Sequence, residues 1–235
     1  MIESLYFTPF EQAALWLSLK VSFWAVLLSL PFGVLIAWLL AFRQFWGKGI
    51  VEGLLQLPLV LPPVVIGYTL LVLFGRQGFL GQLLYETFGV TLVFDWKGAV
   101  LACALVGLPL MVSATRLGFQ GVDSLVLEAS QTLGKSPWVT FVYVTLPLSL
   151  PGLVTGVLLA FARSLGEFGA TITFASNIPG QTQTLPLALF TQTQVPGGDW
   201  VAGRLCILSV LLAMVALGAS KYLSNKLSFK EPKHD

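Results

Sequence analysis

Two ionisable residues, Arg163 and Glu167, stand four positions apart inside a long apolar stretch. This spacing places both side chains on one face of a helix, where they can form an ion pair. Ionisable groups in such surroundings are costly and usually face protein or a water-filled path. Two interpretations stay open: the pair neutralises both charges, or one or both residues, together with Gly166 and Gly169, line or gate such a path.

A second stretch resembles a phosphate-binding loop without completing it. Residues 129–136 read A-S-Q-T-L-G-K-S, one residue short of the pattern G-x-x-x-x-G-K-[ST]. The first position needs glycine so that the backbone can wrap around phosphates, and here it is Ala129. No buried strand is predicted before the stretch, and no soluble nucleotide-binding domain is predicted elsewhere. We therefore expect that this chain does not bind ATP.

The remaining reactive residue types do not form a predicted catalytic or metal site. The only histidine, His234, stands in a charged tail and is expected to be solvated. Cys103 and Cys206 lie inside apolar runs, where cysteine usually behaves as a small hydrophobic residue. Two cysteines are too few for a disulfide framework or a metal cluster. We expect no catalytic residue, no metal and no cofactor.

The composition places the chain in a lipid environment. Of its 235 residues, 56% are hydrophobic and only 10% are charged, with a mean hydropathy of +0.84. Soluble domains carry about 25% charged residues. The polar residues here form short blocks between long apolar runs, as expected for a chain solvated by lipid. The net charge is only +2, so the sequence does not predict nucleic-acid binding.

The apolar runs predict an all-α integral membrane protein that forms a single domain over residues 1–235. A helix that crosses a bilayer needs about 20 mostly apolar residues. Five runs meet this length: 14–42, 51–74, 98–117, 148–174 and 201–223. We expect local breaks at Pro31 and Gly33, and a bent second span with three prolines. The first run is too long for a cleavable signal and is expected to be retained. Segments 76–97 and 175–200 are predicted external loops, the latter with a short helix at 185–191.

The lysines and arginines predict the orientation. Eight of them lie in segments 43–50, 116–147 and 221–235, against three near the opposite ends of the spans: Arg76, Lys97 and Arg204. Cytoplasmic segments carry the excess of basic residues. We therefore expect the N-terminus outside and the C-terminus in the cytoplasm, which agrees with an odd number of spans. Lys20, inside the first span, either reaches the outer interface or faces the pore.

The segment at 118–147 is the longest predicted cytoplasmic loop, and its helix boundaries are clear. Asp123 or Ser124 can cap a helix that ends before Gly134. Ser136 can cap a second helix with Pro137 at its first position. A helix of about ten residues is not stable alone in water. It must therefore lie against another protein surface or against the membrane.

The same loop carries a family motif. Glu128-Ala129-Ser130, then Gly134, then Val144, Leu146 and Pro147 resemble the EAA motif of ABC importer permeases, with Ser130 in place of the second alanine. The resemblance implies a coupling helix that docks on a separate ATP-binding subunit. The implied docking positions are Glu128, Ala129, Ser130, Gly134 and Pro147. The alternative is an amphipathic helix that lies on the membrane.

A second resemblance narrows the family. Residues 161–180, F-A-R-S-L-G-E-F-G-A-T-I-T-F-A-S-N-I-P-G, resemble molybdate permeases, as do residues 57–67 and 204–207. The resemblance implies an importer in the bacterial inner membrane. In such an importer, a periplasmic molybdate-binding protein delivers the oxyanion and two ATPase subunits drive two permease chains. We expect the two permease chains to be a homodimer.

Three other functions remain as alternatives. The first is a permease for another oxyanion, such as sulfate, thiosulfate or tungstate. The second is an ion-coupled secondary transporter, which predicts inverted repeats and several paired charges within the membrane. The third is a membrane enzyme, which needs a cluster of catalytic side chains. No repeat or cluster of this kind is evident, and neither the second nor the third function explains the motif at 128–147.

Overall fold

The computed structural model describes residues 7–227, apart from the side chains of residues 220, 225 and 227. Lys230, Lys233 and His234, which entered the predictions above, lie outside the described residues, as do residues 1–6. Within residues 7–227 the chain is helical and contains no strand, which confirms the all-α prediction. Three helices are long and apolar enough to span a membrane, and two bent helix pairs raise the number to five if each pair crosses once.

The first helix, α1 (Pro9–Phe42), begins five residues before the predicted span. Thr8 and Glu11 form a reciprocal capping box, so the polar residues of the first turn become part of the helix. The helix is continuous through Pro31, so the predicted local break is absent. Gly33 instead allows close packing, because a Cβ atom there would lie 2.7 Å from the Met111 sulfur.

The predicted second span consists of two helices, α2 (Lys48–Val60) and α3 (Pro63–Phe74), which meet at an angle of 112°. The corner lies at Leu61, which is extended, and Pro62, whose ψ of 131° is also non-helical. Residues before proline avoid the helical region, so consecutive prolines end one helix and begin the next. The predicted bend is therefore confirmed, but it is a corner between two short helices. Helix α4 (Phe79–Phe88) follows in the predicted external loop.

The centre of the bundle is α5 (Trp96–Gln120), which packs against α1 and against α9 (Leu150–Leu165). Small residues bring α5 and α9 close together. A Cβ atom on Gly152 would lie 2.5 Å from the Gly118 Cα, and one on Gly156 would lie 2.7 Å from the Met111 carbonyl oxygen. Gly152 and Gly156 stand four residues apart on α9, a spacing of small residues that allows close packing of membrane helices.

The structure divides the predicted fourth span. Helix α9 ends at Leu165, and a separate short helix, α10 (Gly169–Phe174), follows. Gly166 and Gly169 flank this break, which accords with the low helix propensity of glycine. The last two helices are α11 (Leu185–Thr193), which confirms the short helix predicted at 185–191, and α12 (Asp199–Leu227).

Candidate functional site

The loop before α9 folds as its capping residues predict. Helix α6 (Ser124–Thr132) is capped by Asp123, whose carboxylate accepts a hydrogen bond of 2.9 Å from the Leu125 N–H. Gly134 ends the turn with φ of +74°, a left-handed conformation that suits glycine. Ser136 caps α7 (Pro137–Thr140). The stretch that resembles a phosphate-binding loop is therefore the end of α6 and the turn into α7.

The motif residues of this loop have different surroundings. Ser130 is buried, and its hydroxyl lies 2.8 Å from that of Thr140, so it ties α6 to α7. Glu128 and Ala129 are exposed on α6, and Pro147 is exposed in α8 (Leu146–Leu148). A helix that carries exposed apolar side chains beside an exposed carboxylate is suited to a protein contact. The exposed large apolar residues of α6 and its turn are Leu125, Val126 and Leu133.

An aromatic cluster connects the loop to the membrane helices. Phe141 begins a π-helical turn (Phe141–Thr145) between α7 and α8. Its ring lies 5.8 Å from that of Phe119 at the end of α5, 6.2 Å from Trp38 of α1 and 5.9 Å from Trp138 of α7. Aromatic pairs at these distances pack favourably. The base of the loop is therefore in direct contact with α1 and α5.

The charged pair of the fourth span lies at the break after α9. The Arg163 Nη1 and Glu167 Oε2 atoms are 2.7 Å apart, and the Glu167 Oε1 atom accepts a hydrogen bond of 2.8 Å from the Ala170 N–H. The Glu167 side chain is only 1% exposed, whereas that of Arg163 is 30% exposed. The two residues do not share one continuous helix as predicted, because α9 ends between them. Instead, Glu167 joins the end of α9 to the start of α10.

The two broken segments of the bundle contact each other. A Cβ atom on Gly169 would lie 2.8 Å from the Pro63 Cβ, and one on Gly67 would lie 2.6 Å from the Ala170 carbonyl oxygen. The corner between α2 and α3 therefore packs against the break between α9 and α10. Non-helical backbone within a membrane is tolerated only where it is buried in protein or lines a water-filled cavity. Broken helices also form the substrate sites of many transporters. This junction is the candidate pathway site.

Comparison with known proteins identifies the family. The profile of the family described as "Binding-protein-dependent transport system inner membrane component" matches residues 29–229. The chain belongs to this family. One similar relative is the "Molybdenum transport system permease protein ModB" of Escherichia coli (strain K12), 57% identical over 91% of this chain and 93% of that protein. The protein of the same name from Haemophilus influenzae is 51% identical, over 94% of this chain and 96% of its own length.

Solved structures agree on the fold of this inner membrane component. The methionine ABC transporter MetNI, in an inward-facing conformation, superposes with a TM-score of 0.72 over 94% of this chain and 97% of that one, at 14% identity. A chain of a bacterial alginate ABC transporter gives a TM-score of 0.75 over 97% of this chain and 82% of that one, at 13% identity. At this identity the likeness concerns the fold alone.

Two ion pairs that lie outside the candidate sites of this inner membrane component were not predicted from the sequence. Glu11 is fully buried, and its Oε1 atom lies 3.1 Å from the Arg204 Nε atom, so the start of α1 is joined to α12. The Arg116 Nη1 and Glu52 Oε1 atoms lie 2.8 Å apart and join α5 to α2. Thr8-x-x-Glu11 is a capping-box pattern that was available in the sequence. The partners of Glu11 and Glu52 are distant in sequence, so no local pattern indicates them.

Lys20 lies over an aromatic ring. Its Nζ atom is 3.7 Å from the centroid of the Trp96 ring, and the lysine is half-buried. Trp96 is the first residue of α5, so Lys20 lies at the end of the bundle that carries the predicted external loops. Tryptophan and lysine are both typical of membrane interfaces. This position favours the interfacial interpretation of Lys20.

Proposed function

We propose that this chain is the pore-forming subunit of an ATP-driven importer that carries molybdate. The observation that carries the proposal is its high identity, over nine-tenths of its length, to proteins named as molybdenum transport system permeases. A relative from Chlorella vulgaris named as a probable sulfate permease is 33% identical over a similar length. Sulfate, another tetrahedral oxyanion, is therefore the second candidate cargo.

We propose that residues 118–147 couple the pore to an ATP-hydrolysing partner subunit. Glu128 and Ala129 are exposed on α6, next to apolar side chains that water solvates poorly. Gly134 supports the docking surface by forming the turn after α6. Ser130 holds α6 on α7, and Pro147 directs the chain back to the membrane. The rings packed around Phe141 carry the motion of the partner to α1 and α5.

We propose that the anion passes the junction of the two broken segments. Glu167 is neutralised by Arg163 and by a backbone N–H, so its charge does not repel an oxyanion strongly. Arg163 is the more exposed partner and can face the anion directly. Gly169 lets the break pack closely on Pro63, and Gly166 has open space beside it at the end of α9. The site favours passage over tight capture, which suits a pore supplied by a separate binding protein.

We propose that residues 1–235 act as one permease domain that pairs with a second copy to enclose the pathway. The periplasmic binding protein docks on loops 76–97 and 175–200, the N-terminus faces the periplasm, and the C-terminus faces the cytoplasm of the inner-membrane assembly. The second loop suits a docking role because it is folded. The Asn177 side-chain amide donates to the Thr191 hydroxyl over 2.8 Å, and the Gln183 amide donates to the Asn177 carbonyl oxygen over 2.9 Å.

The test is anion uptake in cells that lack only this chain and retain its binding protein and ATPase. Restoring the chain should restore uptake of labelled molybdate, and unlabelled molybdate should compete far better than sulfate. Equal competition by sulfate would favour the second candidate. Uptake that persists in cells without the ATPase would contradict an ATP-driven importer altogether.

A further inference from the structure

An apolar cavity of about 810 Å³ lies between α1, α7 and α9. This volume is within the range of about 300–1,000 Å³ usual for sites of small organic ligands. The cavity lies in the half of the bundle that carries α6, because it is lined by the C-terminal half of α1 and the first residues of α7. The residues that line it include Leu30, Val34, Trp38, Trp138, Phe141 and Leu153.

One cation, Arg43, lines this cavity, and a second, Lys48, lies next to it. Arg43 lines it, with its guanidinium carbon 5.4 Å from the centroid of the Trp38 ring. The Lys48 Nζ atom donates a hydrogen bond of 3.3 Å to the Arg43 carbonyl oxygen, so both positive charges belong to the same turn. Within residues 7–227, the ion pairs do not include Arg43 or Lys48. The apolar cavity thus ends at Arg43, with Lys48 beside it, and neither cation has an acidic partner in the described chain.

We propose that this cavity is a binding site for an anionic phospholipid. An acyl chain lies among the apolar side chains, and the phosphate lies against Arg43 and Lys48. Basic pockets between membrane helices are suited to anionic headgroups. Trp38 and Trp138 line the same cavity, and tryptophan is enriched at the level of the headgroups.

The apolar walls and the basic end of this cavity match the two parts of a phospholipid. Within α1, α2 and the break after α9, the carboxylates Glu11, Glu52 and Glu167 are already paired with arginines. These segments of a second copy therefore offer no free carboxylate to the two cations. A phospholipid brings its own phosphate, together with a chain that matches the apolar walls.

The position of the site gives the lipid a role in coupling. Phe141 lines the cavity and is also the ring that joins α7 to α1 and α5. An acyl chain there packs between α1 and the base of the loop that carries α6. Occupancy stabilises one orientation of this loop, so ATP hydrolysis and transport are coupled best in membranes that contain anionic lipid. The inference rests on the membrane placement of α1 and does not depend on which anion is carried.

The experiment uses the complete purified transporter, from which lipid is removed in detergent. Phosphatidylglycerol or phosphatidylcholine is then added in increasing amounts, and native mass spectrometry counts the lipid molecules that stay bound. The double variant Arg43→Gln/Lys48→Gln should bind phosphatidylglycerol about twenty-five-fold more weakly, since each basic residue near an anionic headgroup contributes about fivefold. Phosphatidylcholine binding should not change. Arg76→Gln/Lys97→Gln removes two exposed cations at the other end of the bundle and is the matched control. Equal phosphatidylglycerol binding by the two double variants would overturn the proposal.

A second variant tests the apolar part of the site. Val34→Trp fills the cavity and should reduce the binding of both lipids, whereas Val72→Trp, at an exposed position of α3, should not. If Val34→Trp leaves lipid binding unchanged and instead separates the subunits of the transporter, the cavity is a protein interface and the proposal is wrong.

Discussion

Glu167 makes two contacts that a single substitution can separate. In Glu167→Gln the side-chain oxygen can still accept from the Ala170 N–H, but the attraction to Arg163 is lost. We expect a stability loss of about 1–3 kcal/mol, typical when a buried hydrogen-bonding group loses its partner. If the pair gates the pathway, molybdate uptake should fall much further than the amount of inserted protein. Uptake per inserted molecule measures the difference.

The double variant Arg163→Gln/Glu167→Gln distinguishes a gate from a purely structural pair. If the two residues only neutralise each other, the double variant should recover most of the uptake lost in Glu167→Gln, because no charge is left unpaired. If Arg163 faces the anion, uptake should fall further. Recovery to the wild-type rate would contradict the pathway role of both residues.

At the level of elements, α6 is expected to act as a docking helix through its exposed face. Glu128→Lys reverses the charge on that face without removing a contact from the described structure, where the ion pairs do not involve Glu128. We expect normal insertion, loss of transport and loss of co-purification of the ATPase subunit. Glu86→Lys, at an exposed position on α4 at the other end of the bundle, is the control and should retain co-purification of the ATPase subunit. Normal uptake in Glu128→Lys would remove the basis for docking through α6.

The contact between α5 and α9 depends on two facing glycines. Gly118→Ala places a Cβ atom 2.9 Å from the Gly152 Cα, which the backbone must move to accommodate. Overpacking of this kind costs about 1–3 kcal/mol, so we expect a lower unfolding temperature in detergent. Gly203→Ala on α12 has no neighbour within 4 Å and should leave the unfolding temperature unchanged or raise it. Equal unfolding temperatures of the two variants would show that the helices do not need this close approach.

For the whole molecule, the described chain is half of the proposed pore. Two copies that carry different affinity tags should purify together when they are expressed with the ATPase subunit, and the mass of the complex should correspond to two permease chains. A symmetric pair is the usual arrangement for identical membrane subunits. Recovery of only one tag from every preparation would exclude the homodimer.

Local features of this chain followed directly from its residue order. The apolar runs, the caps at Asp123 and Ser136 and the glycine turn at Gly134 depend on neighbours in sequence, and the structure contains all of them. The family motif likewise lies within twenty consecutive residues. Hydrophobic patterns and helix caps involve residues within one or two helical turns, so they can be predicted from neighbouring residues in the sequence.

Contacts between distant segments required the folded chain. The packing of Gly169 on Pro63, the pairing of Glu11 with Arg204 and the rings around Phe141 join residues from separate helices. Such contacts depend on how whole helices pack, and close packing selects among many arrangements that the same apolar pattern permits.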